Sequence, residues 1–281
     1  MPKSVTISAL FLFLLLIGCS DTDDNGSLEG PPPPTPDDMS ISATPLVADV
    51  WIPAPGTSWE WQLTGPIDLS VEADVWDIDM LENDAGVVDE LHARGSRVIC
   101  YISVGTWEEP RPDADRFPDE VLGEPLEDHP DERWLDIRRL DLLGPIMEAR
   151  LDECRDKGFD GVEFDNVDGY DNDSGFPLTY GDQLAYNRFL ANEAHKRGLS
   201  AALKNDLEQI PDLLDFFDFA INEECFQYHE CDALLPFIEA GKAVFAVEYE
   251  LAPDEFCDQA NAMRFSAMRK DPVLDAYREV C

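Results

Sequence analysis

Residues 158–170 read GFDGVEFDNVDGY, thirteen positions that gather Asp160, Glu163, Asp165, Asn166 and Asp168 around one short apolar core. Val162 and Phe164 alternate with Glu163 and Asp165. A strand here projects both carboxylates from one face. An unpaired buried carboxylate costs several kcal/mol, so such a strand needs compensating partners from elsewhere in the fold. A strand that ends in carboxylates and runs into Gly169-Tyr170 reads as the rim of an active site. A calcium-binding acidic loop and a merely solvated loop are the alternative readings of the same residues.

Outward from this segment, short apolar runs alternate with helix-like stretches, the pattern of repeated βα units. The expected strands are 59–63, 75–80, 98–104, 161–164, 201–204, 217–222, 243–248 and 264–268. Amphipathic stretches at 142–157 and 183–197 predict helices, the second stopped by Gly198. Eight strands in about 230 residues predict a single α/β domain, a (β/α)8 TIM barrel. A doubly wound open sheet is the other arrangement of such units, but no GxGxxG follows a strand, so a dinucleotide site has no support. Polar groups collect where the strands end: Asp77 and Asp79, Tyr101 and Ser103, Asp165 and Asn166, Lys204 to Asp206, Asn222 to Glu224, Glu248 to Glu250. In a barrel these ends converge on the face where chemistry is done.

The chain begins differently. Lys3 precedes an apolar run at 5–17, too short to span a bilayer and typical of a signal peptide. The run ends in Leu16-Ile17-Gly18-Cys19, which resembles a bacterial lipobox. Residues 1–18 are therefore expected to be a lipoprotein signal peptide and Cys19 the lipidated residue; an ordinary secretory signal is the alternative. Lipid chains add about 0.8 kcal/mol per buried methylene, which anchors a protein without spanning the membrane. Residues 19–48, with DTDDNGS and PPPPTPDD, suit a disordered tether, and 49–281 the folded domain. The protein is expected to be exported, anchored to the cell envelope by lipid alone, and monomeric.

Six further cysteines suit an oxidising compartment. Cys225 with Cys231, Cys257 with Cys281 and Cys100 with Cys154 are the economical disulfide pairs, although spacing alone proves no connectivity. A zinc site is the rival reading, unsupported by any CxxC pair. Sixty acids face twenty bases, a net charge of −40. Such a surface repels nucleic acid and anionic lipid and attracts cations. A cationic substrate and a saline habitat both explain it; only six lysines and an even spread of acids fit the habitat reading.

No serine nucleophile elbow is present, and His92, His129, His195 and His229 lack metal-ligand spacing. His195, in the HKRG end of a helix, reads as a solvated cap residue. No metal and no cofactor is called for. What remains is abundant carboxylate beside Trp59, Trp61, Trp76, Trp107, Tyr101, Tyr170 and Tyr249. Paired carboxylates and stacking aromatics are what glycoside hydrolysis uses. Trp59, Trp76 and Trp134 read better as core than as sugar platforms.

Ordered motifs carry a resemblance. WEWQL from Trp59, VWDID from Val75, ICYISVG from Ile99, ERWLDIR from Glu132, GFDGVEFDNVDGY, LKND from Leu203, INEECFQYHEC from Ile221 and GKAVFAVEY from Gly241 occur in sequence. Across 50–277 the chain resembles glycoside hydrolase family 114, endo-α-1,4-polygalactosaminidases on a (β/α)8 barrel. The resemblance implies hydrolysis of α-1,4-linked galactosamine polymers, which are cationic where the amines are free. It implies Asp165 as nucleophile or base and Glu223 as general acid. Two positions depart from the family pattern: Phe164 stands where Pro is common, and Glu224 where Gln is. The resulting Glu223-Glu224 pair leaves the inward residue open, and alternation with Phe217, Phe219 and Ile221 agrees with the resemblance in selecting Glu223. Expected substrate contacts are Asp77, Asp79, Tyr101, Lys204, Asn205 and Glu248, each with a structural ion pair as its alternative, together with Asn166, Asp168 and Tyr170 on the rim. Glu163, one step deeper than Asp165, is expected to be structural or pKa-setting. A catalytically silent carbohydrate-binding lipoprotein and a glycosidase for another α-linked sugar are the competing functions.

Overall fold

The computed structural model describes residues 42–127 and 129–281. The expected signal peptide, the expected lipidation site Cys19 and the expected tether as far as residue 41 lie outside the described residues.

Twelve strands and six α-helices among the described residues follow one another as β1 (Trp59–Gln62), β2 (Val75–Asp79), α1 (Ala85–Ala93), β3 (Arg97–Ser103), β4 (Thr106–Glu108), β5 (Leu122–Pro125), β6 (Glu132–Leu135), α2 (Leu140–Lys157), β7 (Gly161–Asp165), α3 (Tyr180–Lys196), β8 (Ser200–Lys204), α4 (Ile210–Leu213), β9 (Phe219–Glu223), α5 (Leu235–Glu239), β10 (Val244–Glu248), α6 (Pro253–Met263), β11 (Ser266–Arg269) and β12 (Glu279–Val280). One sheet runs β1-β2-β3-β7-β8-β9-β10-β11-β12, parallel except for the last pair. The eight parallel strands in chain order are those of a (β/α)8 barrel, with the strands buried on both faces as parallel sheets require.

Alternation sorts the side chains into two cores. Trp59, Trp61, Ile99, Ala202, Phe219, Ile221, Phe245, Val247 and Met268 fill the barrel interior. Trp76, Cys100, Val162, Phe164, Leu203, Ala220, Val244 and Ala246 face the helices. Phe164 therefore packs outward, where an aromatic ring fits between sheet and helix. Trp59 stacks on Phe245 with ring centroids 4.8 Å apart.

The seam between β1 and β11 carries no backbone ladder among the described residues. Side chains bridge it: the Trp59 indole donates to the Ser266 carbonyl at 2.8 Å. Lys270 and Arg278 both pair with the fully buried Glu60, at 2.6 and 3.0 Å. Disulfides join Cys100 to Cys154, Cys225 to Cys231 and Cys257 to Cys281. The first ties β3 to α2, and the last ties α6 to the C-terminal residue.

Helix α3 opens with a reciprocal Thr179–Asp182 capping box and is followed by Gly198 at φ +75°, which ends it as expected. His195 does not cap into solvent. It is buried, with its Nε2 2.8 Å from Asp218, because the helix end is pressed onto the sheet. Residues 42–47 lie against α3, where the Leu46 N–H donates to Asn192 Oδ1 at 2.7 Å.

One layer has no counterpart among the expected elements. Between β3 and α2 the chain forms a three-stranded antiparallel sheet ordered β4-β6-β5. It stands over the strand ends and supplies one wall of the cleft. Gly105 makes its entry possible: a Cβ there would lie 1.5 Å from the Asn166 carbonyl oxygen.

Candidate active site

The carboxyl ends of the strands open on a cleft of about 580 Å³. Its walls carry Asp79, Glu82, Glu108, Glu132, Asp165, Asp168 and Glu223 against only Arg111 and Lys204 as permanent cations. At the centre stands Lys204, on the inward face of β8 and nearly inaccessible. Its Nζ lies 2.8 Å from Asp165 Oδ1, 3.0 Å from Glu223 Oε2 and 3.4 Å from Glu163 Oε1. The Trp61 ring backs it, 5.0 Å away. Burial works against the ammonium, but Asp165, Glu223 and Glu163 outweigh it and hold Lys204 charged well above its ordinary range.

Asp165 and Glu223 are held alike. Each shares Lys204, each takes a tyrosine hydroxyl, and each is braced by an asparagine one residue past a strand end. Tyr101 donates to Asp165 Oδ2 at 2.7 Å, and Asn166 Nδ2 lies 3.4 Å from the same oxygen. Tyr249 donates to Glu223 Oε1, and Asn205 Nδ2 to Glu223 Oε2 at 3.2 Å. Burial would raise the Asp165 carboxyl, yet the charge and hydrogen bond of Lys204, with the Tyr101 bond, overcome it. Asp165 sits below the ordinary carboxylate range and is ionised. Burial, with the charge of Asp165 and of Glu223 respectively, keeps Tyr101 and Tyr249 protonated as donors.

The turns after β7, β8 and β9 share one device. Asn166, Asn205 and Glu224 have φ of 62°, 50° and 60°, so the chain turns back sharply directly after the residue that faces the cleft. Asparagine tolerates this conformation; glutamate does so at a cost, a pattern that gathers at functional sites. The turn resolves the Glu223-Glu224 ambiguity in geometry: Glu223 lines the cleft and Glu224 does not.

Of the expected substrate contacts, Asp79, Tyr101, Asn166, Asp168, Lys204 and Asn205 line the cleft with Asp165 and Glu223. Asp79 is already engaged, by Arg111 at 2.7 Å and by the Leu81 and Glu82 N–H groups. Burial, with the charge of Asp165, pushes Asp168 up to about 6. Three expectations are corrected. Asp77 points inward but lies a layer too deep, fully buried beneath Lys204, and does not line the cleft. Glu248 is out of step with Val247 and faces the helices, where it accepts the Phe226 N–H at 2.8 Å. Tyr170 turns away from the cleft to pack edge-on against Tyr180, centroids 5.7 Å apart.

Other cleft residues were not anticipated as site residues. Trp61 and Tyr249 stood out only as aromatics near strand ends. Glu108 and Glu132 come from the inserted sheet, Arg111, Leu126 and His129 from the loops that connect its strands, and Leu274 from the C-terminal segment. The one available signal was the ERWLDIR motif, which places Glu132.

A barrel whose strand ends open on an acidic, aromatic-backed cleft is the architecture of a polysaccharide-processing enzyme. The chain belongs to glycoside hydrolase family 114: the model described as Glycoside-hydrolase family GH114 matches residues 41–281. It is a glycosidase acting on polysaccharide. The crystal structure of Aspergillus fumigatus Ega3 in complex with galactosamine is similar at 41% identity and a TM-score of 0.81, over 84% of this chain and 99% of that one. The glycoside hydrolase domain of PelA from Pseudomonas aeruginosa shares the fold at 16% identity and a TM-score of 0.61, over 79% of this chain and 97% of that one. Comparison with curated proteins finds no match.

Proposed function

We propose that the protein is an endo-acting α-1,4-polygalactosaminidase in which Asp165 is the nucleophile and Glu223 the general acid and base. The observation that carries this reading is the convergence of both carboxylates on one ammonium. Two oxygens lying 2.8 and 3.0 Å from the same nitrogen are at most about 5.8 Å apart, close enough for both carboxyl groups to flank one glycosidic bond, and we assign them the retaining course. Asp165, ionised, attacks the anomeric carbon while Glu223 protonates the departing glycosidic oxygen. Glu223 then takes a proton from water, which opens the glycosyl ester and frees Asp165. In the resting cleft Glu223 accepts from Tyr249, Asn205 and Lys204, an arrangement suited to its basic half-cycle.

The choice of substrate rests on two supports: the galactosamine named for Ega3, and the excess of cleft carboxylates, which favours a polymer bearing free amines. Incubation with deacetylated α-1,4-galactosamine polymer should release short oligosaccharides. KM should rise with salt, since cleft and substrate charges are screened over about 8 Å at physiological ionic strength. Faster cleavage of the fully N-acetylated polymer would overturn the cationic-substrate reading. Retention of polymer with no new reducing ends would make the protein a silent carbohydrate binder.

We place this activity outside the cell membrane, on a monomer held by lipid at Cys19 through a tether that begins at that residue and ends before the segment packed on α3. The support is the lipobox-like Leu16-Ile17-Gly18-Cys19 and the six remaining cysteines. No helix among the described residues is long and apolar enough to cross a membrane.

A further inference from the structure

Beneath Lys204 lie two carboxyl groups that the reaction does not use. Asp77 and Glu163 project into the barrel from β2 and β7 and are both completely buried. Every oxygen of Asp165 and Glu223 has a donor. None of the four oxygens of Asp77 and Glu163 has one from the described residues; the nearest cation is Lys204, 3.4 Å from Glu163. The two carboxyl groups enter the interior from β2 and β7, which only β3 separates, and two carboxylates have no hydrogen to share.

We propose that Asp77 and Glu163 hold one proton between them, Asp77 donating to Glu163, and that the single negative charge of this pair positions Lys204 between Asp165 and Glu223. The inference rests on the reading of Asp165 and Glu223 as the reacting pair. Four carboxylates around one ammonium would leave three uncompensated negative charges in a water-poor interior, which like-charge repulsion and desolvation forbid. One proton on the deepest pair lowers that excess from three charges to two and supplies the missing donor. Burial, then the charge of Glu163, pushes Asp77 well above the ordinary range. Burial also pushes Glu163 up to about 7 against the pull of Lys204.

Were both groups ionised, the doubled charge below would draw the Lys204 Nζ downward and loosen its hold on Asp165 and Glu223. The pair is thus a positioning device with a pH limit: losing its proton costs activity on the alkaline side. The charged and titratable groups that face it are Lys204 from β8, Asp165 from β7, Tyr101 from β3 and Glu223 from β9. No other cation approaches among the described residues.

Asp77→Asn tests this. The amide still donates to Glu163 but has no proton to lose. The variant should lower kcat by only about tenfold and move the alkaline limb of the kcat/KM profile upward by about one pH unit or more. Asp77→Ala, which leaves Glu163 ionised without a donor and lets Lys204 shift by about 1 Å, should lower kcat by about 100-fold. Infrared spectra of the unliganded protein at neutral pH give a readout independent of turnover. Asp206, pushed up to about 8 by burial, also contributes to the protonated-carboxyl C=O band, so the readout is a difference: Asp77→Asn should lose one carboxyl's intensity relative to the parent protein, and Asp165→Asn should lose none. Should Asp77→Asn not fold, Glu163→Gln loses the same component. A wild-type alkaline limb in Asp77→Asn, or a C=O band of undiminished intensity, overturns the proposal. Asp165→Asn and Glu223→Gln run alongside keep the two readings apart. If those variants stay active the reacting pair is wrong, whereas if they fail and Asp77→Asn keeps the parent profile only the shared proton falls.

Discussion

Asp165→Asn is expected to abolish hydrolysis, with kcat falling by about 10⁴-fold or more while KM changes little. The amide is nearly isosteric and can still bond Tyr101, so the cleft keeps its shape, but it has no anionic oxygen to attack the anomeric carbon. Glu223→Gln should lose about 10²–10⁴-fold on polymer, the usual worth of a positioned general acid. The two differ on an aryl glycoside whose leaving group needs no protonation. Glu223→Gln regains much of its glycosylation rate there, measured as a pre-steady-state burst, and Asp165→Asn regains none. Equal rescue of both variants would reverse or dissolve the assignment. Circular dichroism that matches the parent protein excludes unfolding as the cause.

Lys204→Met is the second large effect, and it is visible in both activity and stability. Lys204 is the group that outweighs burial and keeps Asp165 ionised. Without it burial prevails, so the acidic limb of the activity profile moves to higher pH. Stability follows with a definite sign. In the parent protein the folded-state pKa of Asp165 lies below its unfolded value, so its ionisation stabilises at neutral pH and that contribution is lost as pH falls. In Lys204→Met the folded carboxyls bind protons more readily than the unfolded ones, and stability instead decreases as pH rises. Removing one partner from a buried ion pair typically costs about 3–5 kcal/mol. Chemical denaturation at pH 5 and pH 8 measures this. A variant no less stable at pH 8 than at pH 5 would show that Lys204 does not carry the burden of these carboxylates.

The barrel was legible because alternation in short parallel strands is strict. Val162 and Phe164 against Glu163 and Asp165 already separate the helix-facing layer from the interior, and the same parity recurs at 219, 221 and 223. Depth along the barrel axis is not written in that pattern. Asp77 was placed on the right face, but whether an inward residue meets solvent or the floor depends on strand stagger. Glu248 shows the opposite sensitivity, since one residue of register reverses a side chain from cleft to helix layer. The inserted sheet of β4, β5 and β6 was hidden by its shortness and by Pro110, Pro112, Pro118, Pro125 and Pro130, which interrupt every periodic run. Tyr249 sits one residue beyond β10, so neither strand parity nor propensity could aim its hydroxyl at Glu223.

The configuration of the first-formed reducing ends tests the central assignment most directly. If Asp165 and Glu223 flank one α-linked bond as proposed, with Asp165 the nucleophile, cleavage runs by double displacement. Proton NMR of the polymer during the first minutes of hydrolysis, before mutarotation, should show α-anomers appearing first. Initial β-anomers would mean that water attacks directly, and Asp165 would not be the nucleophile.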